Sequence, residues 1–233
     1  MIVAISQPRY LPWLGYMERL ASCDLFIHLD TVQYSPRDWE NRNRIKTAQG
    51  ANWLTVPVKA AYQDRIPDVT IDNEQPWQYR HWETLKTSYG RAPYFKLYRS
   101  AFEGLYCERV WDTLTDLNLA ALDAVCGCLG LVPRMANASQ LSPAGAGSEL
   151  ILNLCRQVGA TVYLSGNQGR NYLDESAFAA AGIDVQYQDY VHPTYSQLHG
   201  AFEPNLAVVD LLFNCGAGSL EILKTSAGVL HAA

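Results

Sequence analysis

Residues 1–30 hold the pattern that most constrains the fold of this chain. An apolar run over 2–5 is followed by a loop, a helical pattern over 15–23 and a second apolar run over 25–29. The order strand, loop, helix, strand is typical of an α/β fold with a mainly parallel sheet. In an open sheet of this kind, ligands bind at the carboxyl ends of the strands. The loop after the first strand is therefore predicted to border a ligand site.

That loop is rich in proline and aromatic residues. Prolines stiffen a loop before it binds, so less conformational entropy is lost on binding. The substrate-binding candidates of this segment are Gln7, Tyr10, Trp13 and Tyr16. For the aromatic residues, packing of the loop onto the body of the protein is the alternative. Asp30 ends the second predicted strand, which makes it a candidate general base at the same sheet edge.

Residues 37–46 interleave basic and amide side chains. The candidates are Asn41, Arg42, Asn43, Arg44 and Lys46. Guanidinium groups match phosphate and carboxylate geometry, and amides fix orientation, so this block predicts an anionic substrate. The alternative is a solvated polar loop. If Asn43 binds substrate, Asn43→Ala is expected to reduce activity with little loss of stability.

The rest of the chain continues the α/β pattern as a single domain, 1–233. Three helical patterns fill 75–131 and predict a helical insert, whereas the Ser-, Gly- and Pro-containing stretch 139–147 reads as a connection. Helix and strand patterns then alternate to about residue 190. His81 lies on an aromatic helical stripe of the insert, and it is a second candidate general base. A packed histidine without catalytic function is the more usual outcome.

The later half of the chain adds five substrate-binding candidates. Glycines beside Ser165 permit close approach of a ligand to the backbone, and polar residues crowd the irregular stretch 192–205. Asp210 falls inside an apolar helical pattern, so its charge must be paired, capped or at a site; an arginine such as Arg42 or Arg170 is one possible partner. The candidates are Ser165, Tyr195, Gln197, Asn205 and Asp210.

Composition and missing motifs narrow the function classes. The net charge of −5 argues against broad binding to nucleic acids or anionic membranes. The six cysteines include no CxxC pair and the histidines no HxxxH, so no metal site is predicted. Nucleophile-elbow, Walker, GxGxxG and HExxH motifs are also missing. A cytoplasmic protein without membrane segments is expected.

Several segments, in order from residue 6 to 216, resemble the WbqC-like family. They are QPRYLPWLGY, Asp30 with VQY, WENRNRIK, YLSG, PTYSQ and FEPN…DLLFNCG. Ala207 stands where the family pattern suggests a serine. The family occurs in gene clusters for bacterial O-antigen and other surface polysaccharides, and for some natural products. The resemblance implies a biosynthetic transferase that moves an acyl or aminoacyl group to an amine of an amino sugar, a nucleotide amino sugar or a related metabolite.

The first loop is also similar to that of the nucleotidylyltransferase-like (HUP-type) fold. There an HxGH motif handles nucleotide phosphates; here Trp13, Gly15 and Tyr16 stand in its slots, so glycine is kept and both histidines are replaced. This resemblance implies an α/β core of that type. It leaves open nucleotidyl transfer or ATP-dependent ligation, and a non-catalytic ligand-binding role. The candidate cofactor is a nucleotide or an acyl or aminoacyl donor; a small-molecule partner such as a nucleotide sugar is favoured over tRNA. The sequence does not predict the oligomeric state.

Overall fold

A computed structural model describes residues 1–61, 63–225 and 231–232. The central sheet has the strand order β10-β9-β8-β1-β2-β7, and all neighbouring strands are parallel except the β10–β9 pair. Counted along the chain, the five parallel strands have the spatial order 3-2-1-4-5, as in Rossmann-like folds. The predicted α/β fold with a mainly parallel sheet is confirmed. The order reverses between β1 and β8, which makes their carboxyl ends the topological switch point.

The strands are β1 (Ile2–Ser6), β2 (Leu25–His28), β3 (Arg42–Thr47), β4 (Gly50–Thr55), β5 (Val58–Lys59), β6 (Thr70–Ile71), β7 (Met135–Asn137), β8 (Val162–Ser165), β9 (Asp184–Tyr187) and β10 (His231–Ala232). The helices are α1 (Leu14–Ala21), α2 (Trp77–Tyr89), α3 (Phe95–Cys107), α4 (Leu114–Leu129), α5 (Ala138–Leu141), α6 (Gly147–Gln157), α7 (Glu175–Ala180), α8 (Val208–Cys215) and α9 (Ser219–Thr225).

Side chains of the central strand alternate between two cores. Val3 and Ile5 of β1 pack into one core with α6 and α7, whereas Ala4 joins the other core with α1, α4 and α8. This alternation follows from the two-residue period of a strand, and it produces a sheet covered on both faces. Because helices cover both faces, a ligand can reach the sheet at the ends of its parallel strands.

Two segments differ from the sequence predictions. The block read as a polar run forms β3, which pairs with β4 as an antiparallel hairpin. The predicted connection 139–147 overlaps the short helix α5, which spans Ala138–Leu141. Helices α2, α3 and α4 occupy the segment predicted as an insert. The sequence pattern of residues 219–230 also predicts a helix; α9 covers 219–225 of this range, and residues 226–230 lie outside the described residues.

Among the helices of the described residues, none combines the length and apolar character needed to cross a bilayer.

Candidate active site at the carboxyl edge of the sheet

A cleft of about 730 Å³ opens at the switch point between β1 and β8. We call it the sheet-edge cleft. It is lined by Ile5, Ser6, Gln7, Arg9, Trp13, Gly15, Tyr16, Arg19, Leu29, Asp38, Trp39, Arg44, Ile151, Tyr163, Ser165, Gly166, Asn167, Gln168, Gly169, Tyr172, Gln188, Tyr190 and Asn205. Its position agrees with the expectation that the loop after β1 borders a ligand site. Five substrate-binding candidates of the sequence reach this cleft together with Arg44, namely Gln7, Trp13, Tyr16, Ser165 and Asn205.

The charged side chains that line the cleft are mostly cationic. Arg9, Arg19 and Arg44 face a single carboxylate, that of Asp38. Within the described part of the chain, Arg9 and Arg19 have no carboxylate within 4.0 Å, and Arg44 is 3.9 Å from Glu203 at the protein surface. Uncompensated guanidinium groups in a concave site attract phosphate or carboxylate ligands, even though the whole chain carries a charge of −5.

Arg19 crosses the floor of the cleft from α1. Its Nη2 atom donates a hydrogen bond of 3.0 Å to Ser6 Oγ at the end of β1, and its Nε is buried without a partner. Burial lowers the pKa of this guanidinium from its usual value, because the interior disfavours the charged form. On the other side, Gly166 leaves room for the side chain: a Cβ at that position would lie 2.3 Å from Arg19 Nη1.

The first turn of α1 forms another wall. Helix α1 begins at Leu14 after Trp13, whose indole folds back over Gly15; a Cβ at Gly15 would lie 2.4 Å from the Trp13 ring. One turn along, Tyr16 is only 2% exposed, and its hydroxyl has no hydrogen-bond partner. Burial raises the pKa of Tyr16, so the hydroxyl stays protonated and can donate to a bound acceptor.

Gln188 braces this wall against the end of β9. Its amide donates to the carbonyl of Gly15 at 2.7 Å and to the carboxylate of Glu18, while its backbone N–H donates to the Ser165 carbonyl at 2.8 Å. These bonds tie α1, β8 and β9 together at the cleft. A site fixed on rigid elements in this way has little conformational entropy left to lose when a ligand binds.

The β3–β4 hairpin extends the cleft outward with stacked aromatic and guanidinium groups. Trp39 lies in the cleft wall, and its ring centroid is 5.4 Å from that of Trp53, which is 42% exposed. The Arg42 guanidinium lies 4.5 Å from the Trp53 ring, and Arg44 lies opposite Trp53 in the hairpin. Arg42 therefore flanks the cleft rather than lining it. Its guanidinium is held over the indole by a cation–π contact.

Neither candidate general base from the sequence lines the cleft. Asp30 accepts hydrogen bonds from the backbone N–H and hydroxyl of Ser139, at 2.8 and 2.6 Å, and so holds the start of α5 against β2. His81 accepts from the Tyr10 hydroxyl at 2.8 Å and donates to the Thr55 carbonyl at 3.1 Å. Burial lowers the pKa of His81 to about 4, so it is neutral at pH 7. Tyr10, also a substrate-binding candidate, is buried in this cluster away from the cleft.

Three candidates of the basic block are buried and hold backbone in place. Asn41 donates to the Val56 carbonyl at 2.9 Å. Asn43 donates to the Leu11 carbonyl at 2.6 Å, and its own oxygen accepts from the Arg44 N–H at 2.8 Å. The ammonium of Lys46 donates to Gln197 Oε1 at 3.1 Å and to the Ala201 carbonyl. None of the three is among the residues that line the cleft.

Asp210 is paired, but not with an arginine. Its carboxylate accepts hydrogen bonds from the hydroxyls of Tyr89 and Tyr195, at 2.8 and 2.9 Å, and from Gln197 Nε2 at 2.7 Å. Burial raises its pKa, against the lowering effect of these donors. Within the described residues, this network fastens α8 to α2 and to the stretch before α8, and Asp210, Tyr195 and Gln197 lie outside the cleft lining.

Three charged residues that line the cleft are not among the residues predicted from the sequence, namely Arg9, Arg19 and Asp38. Helical spacing could have found Arg19, because Tyr16 and Arg19 are three positions apart on one face of a helix that begins at the sheet edge. Arg9 follows Gln7 in the same loop. The signal was available, but an isolated arginine on an apolar helix usually extends to solvent.

Comparisons with known proteins support one family. The model of the WbqC-like protein family matches residues 7–222. The chain is 41% identical over 225 residues to a protein of Mycobacterium tuberculosis (strain ATCC 25618 / H37Rv) known as uncharacterized protein Rv1507c, and the match covers 95% of this chain and 97% of that protein. No solved structure matches the chain. The family model and the relative each span nearly the whole chain, and the chain belongs to the WbqC-like protein family.

Proposed function

We propose that this protein is a biosynthetic transferase that moves an acyl or aminoacyl group to the amine of an amino sugar, a nucleotide amino sugar or a related metabolite. The observation that carries the proposal is the charge of the sheet-edge cleft, whose lining contains three arginines, Arg9, Arg19 and Arg44, and one carboxylate, Asp38. A phosphate-bearing substrate with an amine matches this set, because the guanidinium groups bind the phosphates and the carboxylate binds the ammonium group.

Family membership supports the biosynthetic part of the proposal. The WbqC-like family suggests a role in polysaccharide assembly, where amino sugars carried on nucleotides are ordinary intermediates. The cleft volume of about 730 Å³ falls in the range of small-molecule sites, roughly 300–1,000 Å³. Aromatic side chains at the cleft, including Trp13, Trp39 and Tyr172, suit the flat or apolar faces of such a ligand.

The proposed chemistry needs a proton acceptor, and Asp38 takes that role. Its Oδ1 accepts from the Trp39 N–H at 2.8 Å, which orients the carboxylate and leaves Oδ2 for the substrate amine. The ammonium group loses one proton to this carboxylate, and the free amine attacks the acyl carbonyl carbon. The bond from that carbon to the leaving group then breaks, and the leaving group departs with the second proton that the nitrogen gives up as the amide forms. Arg9 and Arg44 balance the negative charge that develops on the carbonyl oxygen. Asp30 and His81 have no part in this step, because neither lines the cleft.

Nucleotidyl transfer or ATP-dependent ligation is the second candidate. The strand order 3-2-1-4-5, with a cleft at the switch point, favours it, since nucleotides bind at that place in open α/β sheets. In this reading, a triphosphate would lie across the same arginines, and Trp13, Gly15 and Tyr16 would cover it at the start of α1.

A product assay separates these reactions. The purified protein is incubated with nucleotide amino sugars and either an acyl thioester, an aminoacyl-tRNA or ATP, and the products are analysed by mass spectrometry. An acyl or aminoacyl mass added to the amino sugar, without ATP and with at least about a hundredfold loss in Asp38→Asn, supports the proposal. Release of pyrophosphate only with ATP supports the second candidate. Tight binding without turnover for any donor refutes both and supports a non-catalytic binding protein.

A further inference from the structure

The sheet-edge cleft combines a partly buried cation with hydrogen-bond donors that have no partner. Arg19 has one hydrogen bond, to Ser6 Oγ, and a buried Nε without a partner. Tyr16, on the same face of α1, is 2% exposed, and its buried hydroxyl also has no partner. Buried polar groups in native proteins are almost always hydrogen-bonded, so two unpaired donors in one wall indicate an acceptor that is bound in the working protein.

The backbone around these side chains favours an anion. Tyr16 and Arg19 project from the first turns of α1, whose amino end carries the positive pole of the helix dipole and contributes Trp13, Gly15 and Tyr16 to the cleft lining. Across the cleft, Gly166 and Gly169 follow β8, and the absence of side chains there keeps the backbone within reach of a ligand. Within the described residues, no carboxylate lies within 4.0 Å of Arg19 to occupy the guanidinium.

Glycine at position 166 is required by the position of Arg19. Gly166 has ordinary backbone angles, φ −74° and ψ 162°, that alanine also adopts, so conformation does not explain the glycine. A Cβ there would lie 2.3 Å from Arg19 Nη1, and the next nearest atom within 4 Å is the Arg19 Cζ at 3.6 Å. A methyl group would therefore displace the end of a flexible side chain and leave the backbone unchanged.

We propose that Arg19, the Tyr16 hydroxyl and the first turn of α1 form an oxyanion subsite that binds one phosphate or carboxylate group of the substrate, and that Gly166 sets its geometry. This inference rests on the proposed function and makes it more specific, since it assigns the charged group of the substrate to the floor of the cleft. The reacting amine and carbonyl then lie toward Asp38 and Arg9. Phosphate and carboxylate share the required chemistry, because both offer paired oxygens to a guanidinium fork.

The test measures binding of inorganic phosphate, pyrophosphate and succinate by isothermal titration at low ionic strength. The wild type is compared with Gly166→Ala, Arg19→Gln and Arg80→Gln. Gly166→Ala conserves the net charge and displaces only the Arg19 side chain. Arg80, an exposed arginine on α2, controls for the loss of one positive charge. Thermal unfolding of each variant is measured first. If Arg19→Gln folds poorly, Gly166→Ala with wild-type thermal stability still tests the subsite.

The subsite predicts that both Gly166→Ala and Arg19→Gln weaken anion binding at least about tenfold, whereas Arg80→Gln changes it less than about twofold. Tighter binding of pyrophosphate than of succinate assigns the subsite to phosphate, and the reverse order assigns it to carboxylate. Wild-type affinity in both cleft variants, or no binding of any anion by the wild type, overturns the subsite.

A parallel titration with a nucleotide amino sugar distinguishes this failure from failure of the proposed function. Loss of its binding in Arg9→Gln or Arg44→Gln, with wild-type binding in Arg19→Gln, refutes the subsite and leaves the transferase proposal standing.

Discussion

Replacement of Glu40 by glutamine is expected to stabilise the protein at alkaline pH and much less at acidic pH. Glu40 is 1% exposed, and both of its carboxylate oxygens lack a hydrogen-bond partner. Burial, with a further contribution from the charge of Asp38, raises the pKa of Glu40 from 4.5 to about 7. The folded state therefore binds a proton more tightly than the unfolded chain does, and folding stability falls as the pH rises from about 4.5 to about 7.

The size of the effect follows from the two pKa values. At roughly 1.4 kcal/mol per pH unit, the difference corresponds to about 3 kcal/mol of lost stability, of which about 2.5 kcal/mol falls between pH 5 and pH 8. Glutamine has a similar shape and carries no charge. The free energy of unfolding of Glu40→Gln, relative to wild type, should therefore rise by about 2.5 kcal/mol between these two pH values.

Urea unfolding followed by tryptophan fluorescence at pH 5 and pH 8 measures this difference. Other groups that titrate in this range, such as His28 and His81, affect both proteins equally and cancel. Glu221→Gln, at an exposed position on α9, is the matched control and should show no comparable change. A stability difference between Glu40→Gln and wild type that stays constant within about 0.5 kcal/mol would refute the argument that Glu40 is buried without compensation.

Three further substitutions separate structural from binding roles. Asn43→Ala should lower the free energy of unfolding by about 1–3 kcal/mol, because it leaves the Leu11 carbonyl without its donor, and urea unfolding would detect this. His81→Ala should lower the free energy of unfolding by about 3 kcal/mol and leave ligand affinity unchanged in titrations. The wild type should lose stability as the pH falls from 6.5 toward about 4, because the unfolded chain binds a proton at His81 in this range and the buried imidazole does not. Asp210→Ala should lower the free energy of unfolding by roughly 3 kcal/mol or more, as measured by thermal unfolding. Three buried donors, the Tyr89 and Tyr195 hydroxyls and Gln197 Nε2, then lose their common acceptor.

The expectation for Asn43 changes once its contacts are known. From the sequence, Asn43→Ala was expected to reduce activity with little loss of stability. The amide instead bridges the backbone of two segments, at the Leu11 carbonyl and the Arg44 N–H. Leu11 has a φ of +43°, a conformation that a non-glycine residue adopts at a cost and that neighbouring bonds must hold. Sequence reasoning could not distinguish a ligand-binding amide from one that supports the loop.

The location of the cleft was accessible from the sequence because it depends on topology. A strand, a stiff loop and a helix at the N-terminus predicted a site at the sheet edge, and the cleft is lined by Gln7, Trp13 and Tyr16 of that segment. The sequence does not show which strand lies beside β1 at the switch point. It comes from residues 162–165, and the pairing of β1 with β8 depends on the order in which the sheet assembles.

The strand formed by the basic block is not evident from the sequence. In β3 the alternation of a strand turns Asn43 and Ile45 inward and Arg42 and Arg44 toward Trp53 on β4. A polar residue at the inward position hides that period from any reading based on hydrophobicity alone. Only the pairing with β4 shows that one arginine reaches the cleft while the other stacks at its edge.

Arg19 shows that the positions of basic residues in the sequence do not predict where positive charge lies in the folded protein. The sequence concentrates its basic residues at 37–46, but Lys46 bonds to Gln197 and Arg42 stacks on Trp53, so neither charge lies on the cleft lining. The arginine at the floor of the cleft comes instead from an apolar helix. Arginine stays charged at neutral pH, burial opposes that charge at Arg19, and no carboxylate among the described residues lies within 4.0 Å of it. A partly buried cation without a carboxylate partner lowers the stability of the folded state, and a bound anion offsets that loss, so ligand binding and protein stability should be coupled at Arg19.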